Sequence, residues 1–131
     1  MIERHMRPEG PTWFRDLHSD RRRQAYIATN GEPAWPALAA LQVIQELTDR
    51  SCRVIGIEVW LPTQPGPTVA GPPYYWEPPR EIYGSLTDIR STNAEAQEYI
   101  RGFKLDPADT KSVGHELHFN LEVDCGSEPR K

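Results

Sequence analysis

Apolar and polar residues along this chain follow two different periods. Over residues 33–50, PAWPALAALQVIQELTDR, Ala37, Ala40, Leu41, Ile44 and Leu47 recur every three or four positions. That spacing predicts a helix with one buried face. Pro33 and Pro36 stand at its front, where a missing N–H is tolerated, so the first turn begins at either. The period then falls to two. In CRVIGIEVWLP, Ile55, Ile57, Val59 and Leu61 alternate with Val54, Gly56, Glu58 and Trp60. Both sets are largely apolar, which predicts a strand central in its sheet.

Further on, Thr92 and Glu95 form a capping box, and Ala96, Tyr99, Ile100 and Phe103 follow at helical spacing until Gly102 begins to unwind the turn. Leu105 to Asp109 reads as a loop. Leu117, Phe119, Leu121 and Val123 alternate with His118, Asn120 and Glu122, which predicts a half-buried strand. Near the start, residues 25–29 predict a short strand closed by a turn at Asn30-Gly31. Trp13, Phe14 and Leu17 mark an N-terminal segment, residues 1–24, that docks peripherally on the core.

Seven of the chain's 13 prolines fall in PTQPGPTVAGPPYYWEPP, residues 62–79. Without N–H donors this stretch is expected to be neither helix nor internal strand. It nevertheless carries Tyr74, Tyr75 and Trp76, which a flexible tether would avoid. Residues 62–80 therefore read as a semi-rigid extended loop packed on the domain. The order strand, helix, strand, long loop, helix, strand describes a small single α+β domain over residues 1–131. A mixed or antiparallel sheet packed by two helices is expected, and 131 residues suffice for one core.

Charge and cysteine content narrow the function classes. The formal net charge is −4, and residues 1–25 hold 6 arginines against 4 acids, so the acidic excess lies in the remainder of the chain. Nucleic acid is not an expected partner, because phosphate binding needs a basic face. No run of about 18 apolar residues offers a membrane span. The polar N-terminus does not resemble a secretory signal, so a cytoplasmic protein is expected. Cys52 and Cys125 lack the company of a zinc site, and in a reducing cytosol their default state is two thiols. If the strands over 53–61 and 117–124 are antiparallel neighbours, Cys52 faces Cys125 and Glu58 lies near the level of Phe119.

Candidate chemistry is thin on the catalytic side. There is no Gly-rich phosphate loop, HExxH, GxSxG or paired CxxC, so no catalytic residue, cofactor or metal is assigned. His118, Asn120 and Glu122 share one side of a strand, with Glu58 on a neighbour; they offer either a solvated sheet face or acid–base groups. His115 points to the other side and makes a poor joint ligand with His118. Glu58, flanked by Ile57 and Val59, must be wet at an edge, paired, or placed for recognition. Trp60, Tyr74, Tyr75 and Trp76 supply stiff contact area with polar tips, either for a partner or to anchor the proline loop, with Tyr74 and Trp76 on opposite sides. Arg21-Arg22-Arg23 reads as a solvated run.

From Val54 onward the string IGIEVWLPTQPGPTVAGPPYYWEPP, then AQEYIRGFKLDPADT, then HFNLEV, resembles a family of predicted immunity proteins of bacterial polymorphic toxin systems. The likeness rests on Glu58-Val59-Trp60-Leu61-Pro62, the proline-aromatic loop, Glu98-Tyr99-Ile100, the Asp106-Pro107-Ala108-Asp109 turn and Phe119-Asn120-Leu121, about the C-terminal half of the chain. The resemblance implies a small non-enzymatic cytoplasmic protein that binds a cognate toxin domain stoichiometrically and neutralises it. The acidic body suits a basic toxin, such as a nuclease. The alternative is a small ligand- or metal-binding enzyme using the Glu/His face. Partner-binding candidates come from the patterning: Glu58, Trp60, Tyr74, Tyr75, Trp76, His118, Asn120 and Glu122.

Overall fold

The computed structural model describes residues 11–61, 68–69, 74–79 and 89–125. Pro11 precedes a single helical turn, α1 (Thr12–Arg15), and His18 caps a second short helix, α2 (Ser19–Gln24), its Nδ1 accepting the Asp20 N–H at 3.0 Å. Helices this short are not stable alone, so packing must hold them. Phe14 and Leu17 are buried, and the rings of Trp13 and Phe14 lie 6.2 and 5.9 Å from that of Trp35. The Trp35 indole N–H donates to the Arg21 carbonyl at 2.8 Å. The N-terminal apolar residues therefore dock as their pattern predicts. The arginine run has local partners: Arg21 donates to Gln42, Arg22 to the Leu17 carbonyl, and Arg23 pairs with Asp20.

A hairpin follows, β1 (Tyr26–Ile27) and β2 (Pro33–Trp35), turning through Gly31 at φ 89°, a value that favours glycine. Residues 33–35 are thus strand, where the periodicity suggested the front of a helix. Pro36 disfavours helical backbone at Trp35 and itself occupies the cap, so α3 runs Ala37–Asp49. Its buried face is Ala39, Ala40, Val43, Ile44 and Leu47, while Ala37 in the first turn stays exposed. The helix ends in a left-handed residue, Ser51 at φ 61°, with the Cys52 N–H reaching the Leu47 carbonyl at 2.9 Å and the Ser51 N–H the Thr48 carbonyl at 3.0 Å.

The remaining elements are β3 (Arg53–Leu61), β4 (Thr68–Val69), β5 (Tyr75–Trp76), α4 (Ile89–Arg101) and β6 (His118–Asp124). The sheet runs β1-β2-β6-β3-β4, with β5 also on β3, and every pairing is antiparallel. The chain is a small α+β domain with α3 and α4 against one side of the sheet. β3 is central, as its two-sided apolar pattern predicts. β6 is central too, lying between β2 and β3, so neither Glu58 nor the His118 face belongs to an edge strand. β4 and β5 are two-residue strands on the same side of β3; most of the proline-rich segment between residues 62 and 80 lies outside the described residues.

Two expectations are corrected by tertiary structure. A bulge between Val54 and Gly56 shifts the register of β3 against β6. Val54 therefore joins Ile57, Val59 and Leu61 in the core, and Ile55 is only half-buried. The second correction concerns the capping box. α4 begins at Ile89, ahead of Thr92, so Thr92 and Asn93 lie inside the helix and are buried. Asn93 spends its side chain across the fold: Oδ1 accepts the Val54 N–H, and Nδ2 donates to the Cys52 carbonyl and to Thr48 Oγ1, each at 2.9 Å.

Cys52 and Cys125 form a disulfide across a sequence separation of 73 residues, which replaces the expectation of two reduced thiols. The antiparallel β3–β6 register brings the two cysteines opposite each other, at the ends of the paired strands. Among the described residues, no helix is long and apolar enough to cross a membrane.

Candidate functional site: a polar and aromatic sheet face

Side chains alternate across a strand, so register decides which residues share a face. Glu58 on β3 pairs with Asn120 on β6 and with Tyr75 on β5; Trp60 pairs with His118, and Gly56 with Glu122. Glu58 thus sits one position from the Phe119 level, Phe119 being the partner of Val59. Asn120 in turn pairs with Ala34 on β2, and Ala34 with Tyr26 on β1. Glu58, Trp60, Tyr75, His118, Asn120 and Glu122 consequently lie together on the sheet face opposite the helices.

This face has a closed half and an accessible half. Toward β1 and β2, Trp60, His118 and Asn120 are buried. The Tyr26 ring stands edge-on to Trp60 at 6.3 Å and to His118 at 6.1 Å. Asn120 Nδ2 donates to the Pro33 carbonyl at 2.9 Å, tying β6 to β2. Toward β5 the groups are open. Tyr75 is 49% exposed, Glu122 is exposed and Glu58 is half-buried. The Trp60 indole N–H donates to Glu58 Oε1 at 2.9 Å, and the Tyr75 hydroxyl donates to Glu122 Oε1 at 3.1 Å. Two carboxylates are therefore held by aromatic donors on either side of an exposed ring.

Gly56 makes this arrangement possible. A Cβ there would meet the Glu122 carboxylate and, at 2.6 Å, the Tyr75 hydroxyl. The absent side chain leaves the space in which these two groups bond. Sequence patterning did not single out Gly56 or Tyr26, because their roles depend on which strands become neighbours.

His118 is buried, and its Nδ1 has no hydrogen-bond partner among the described residues. Burial pushes its imidazole below the ordinary value of 6.5, against the opposing pull of Glu116. A native state that prefers neutral imidazole binds fewer protons than the unfolded chain once the pH drops below about 6.5. Stability contributed by neutral His118 is complete above that pH and falls as the pH descends toward the lower native value. Thermal melts between about pH 7 and pH 5 are expected to show a falling midpoint, with a shallower slope for His118→Asn. An equal slope in both proteins would remove His118 as the source.

Tyr74 and Trp76 point the other way. They share one side of β5 rather than opposite sides, and both pack on the core beside α4. Tyr74 meets Phe103 at 4.9 Å, and Trp76 meets Tyr99 at 6.5 Å. The Tyr74 hydroxyl donates to Asp109 Oδ2 at 2.7 Å and accepts the Asp106 N–H at 3.0 Å. Burial, and then the bond to Asp109, raise the Tyr74 phenol above its ordinary range. Burial also pushes the Asp109 carboxyl up, but hydrogen bonds from Tyr74 and Ser112 outweigh it and leave the group below the usual carboxylate range. These two rings fasten β5 to α4 and to the 106–112 turn. A shallow groove of about 310 Å³ lies beside them, lined by Tyr74, Glu98, Tyr99, Gly102, Phe103 and Lys104.

His115 is exposed and precedes β6, apart from His118. Among the described residues, no three His, Cys, Asp or Glu side chains gather as a metal ligand set. Comparison with family models, with curated proteins and with solved structures returned no match.

Proposed function

We propose that this chain is an immunity-type protein that binds a cognate bacterial toxin domain and neutralises it stoichiometrically, without catalysis of its own. The observation that supports this reading most is the accessible half of the sheet face, where Tyr75 stands between Glu58 and Glu122. A ring fixed by its own hydroxyl bond offers contact area at low ordering cost. Carboxylates on both sides favour a basic partner and speed its capture, in keeping with the chain's net charge of −4. Trp60 and His118 act from beneath this surface, Trp60 by orienting Glu58 and both by packing on Tyr26. The proposed setting is the bacterial cytoplasm.

The test is affinity capture by the tagged chain from its native host, followed by titration of the partner with face variants. One stoichiometric basic protein whose toxicity is abolished in the complex is the expected result. Tyr75→Ala and Glu58→Gln are each expected to weaken binding by about 2 kcal/mol, close to 30-fold in Kd. Gly56→Ala should weaken it as well, by expelling the Tyr75–Glu122 pair while every face side chain stays present. Full affinity in all three folded variants would remove this face as the interface, and a retained small molecule with turnover would favour a ligand-binding enzyme.

A further inference from the structure

The two sulfurs of the Cys52–Cys125 bond sit in different surroundings. Cys52 is 6% exposed and belongs to the hydrophobic core, whereas Cys125, directly after β6, is exposed. The backbone of Cys52 is pinned on both sides of its side chain. Its N–H donates to the Leu47 carbonyl, and its carbonyl accepts from Asn93 Nδ2, each at 2.9 Å. The buried sulfur therefore cannot reach the surface without undoing the junction of α3 and β3. Its Sγ lies 3.8 Å from the Arg50 carbonyl oxygen, an acceptor for the S–H that a free thiol there would carry.

We infer that Cys125 is a site of S-thiolation with a fixed direction: a small cellular thiol opens the disulfide at Cys125 and stays there as a mixed disulfide, leaving Cys52 as a buried thiol. A thiolate attacks in line with the S–S bond, so access to the far side of a sulfur decides which one reacts. Around Cys52 that approach is filled by the core, while Cys125 stands at the surface. Leaving-group strength works in the opposite sense, because a thiolate expelled into apolar surroundings leaves more slowly than one expelled into water. That preference slows exchange at Cys125 but opens no route to Cys52. Disulfides in reducing compartments are characteristically transient, and small thiols are the reagents they meet there.

The exchange balances without an outside oxidant. The thiolate sulfur bonds to Cys125 Sγ as the bond to Cys52 Sγ breaks. The electron pair of that bond leaves on Cys52, whose sulfur takes up a proton. In the reverse sense, a Cys125 thiolate attacks the disulfide form of the small thiol, bonds to one of its sulfurs and releases the other half as thiolate.

The experiment uses the full chain with glutathione as the probe. Cys52→Ser and Cys125→Ser, each checked for folding by circular dichroism, are incubated with glutathione disulfide in native buffer and followed by mass spectrometry. Cys52→Ser should gain one glutathione. Cys125→Ser, whose remaining thiol is buried, should react at least about tenfold more slowly, and the two rates should converge in urea that unfolds both. Equal rates in native buffer overturn the proposal, and so does a Cys52→Ser chain that gains nothing. The unsubstituted oxidised chain supplies a second measurement. After brief exposure to reduced glutathione it is quenched in acid, its free thiols are alkylated in denaturant, and it is digested. The first adduct should map to the peptide that holds Cys125; an adduct on Cys52 overturns the assignment. No partner enters either measurement, so the outcome is independent of the immunity reading.

Discussion

Cys52→Ser and Cys125→Ser together are expected to lower the global unfolding free energy by up to about 4 kcal/mol, measured by urea denaturation. The estimate comes from the bond's span of 73 residues, since a cross-link of that length removes much of the closure freedom of the unfolded chain. With an urea slope of about 2 kcal/mol per molar, the midpoint should fall by roughly 2 M. The slope itself should steepen, because an unbridged unfolded chain exposes more surface. A domain of this length has about 5–15 kcal/mol to draw on, so the double variant is expected to fold at room temperature. The loss arises in the unfolded ensemble, whose freedom the cross-link restricts. A midpoint shift below about 0.5 M, less than 1 kcal/mol on that slope, would mean that the bond contributes little to folding.

What could be read from the chain divides along a physical line. The helices α3 and α4, the strands β3 and β6, and the β1–β2 turn follow from local periodicity, and each is present near its expected position. Misreadings occur where a distant contact overrides the local signal. Pro33 to Trp35 looks like a helix front but pairs as β2, because β6 offers Phe119 and Asn120 as partners. Thr92 and Glu95 have cap spacing, yet α4 extends back to Ile89 and Asn93 bonds to Val54 and Cys52. Strict alternation put Val54 opposite Ile57, and one bulge reverses that. The candidate face is similar. Alternation grouped His118, Asn120 and Glu122 and set Glu58 beside them on a neighbouring strand, but only the register adds Trp60 and Tyr75 to that face. Tyr74 and Trp76 drop away from the face for the same reason, since neighbours of Tyr75 along a strand must point oppositely.

Asn93→Ala is expected to destabilise the fold by about 3 kcal/mol, the sum of stranding buried backbone groups and leaving a small cavity. Asn93 is 1% exposed and lies where three elements converge: the end of α3, the start of β3 and the interior of α4. Its carbonyl oxygen satisfies the Val54 N–H that the bulged ladder leaves over, and its amide satisfies the Cys52 carbonyl and Thr48 Oγ1. Shape is not the issue, so Asn93→Leu should do no better than alanine, as it still leaves the Val54 donor and the Cys52 acceptor buried without partners. Asn93→Asp retains the acceptor for Val54 but brings a charge into the core and loses both donors. It should be at least as damaging near neutral pH and recover partly in acid, once the carboxyl takes up a proton. Thr48→Val removes one partner only; its Oγ1 also donates to the Ile44 carbonyl, inside a helix that already has its own bonds, so a loss of about 1 kcal/mol is expected. Thermal melts should rank the variants in that order, with Asn93→Ala lower by roughly 10 °C. A melting point for Asn93→Leu near that of the parent would show that the site needs only volume. The hydrogen bonds of Asn93 to the start of β3 would then contribute little beyond the packing of its side chain.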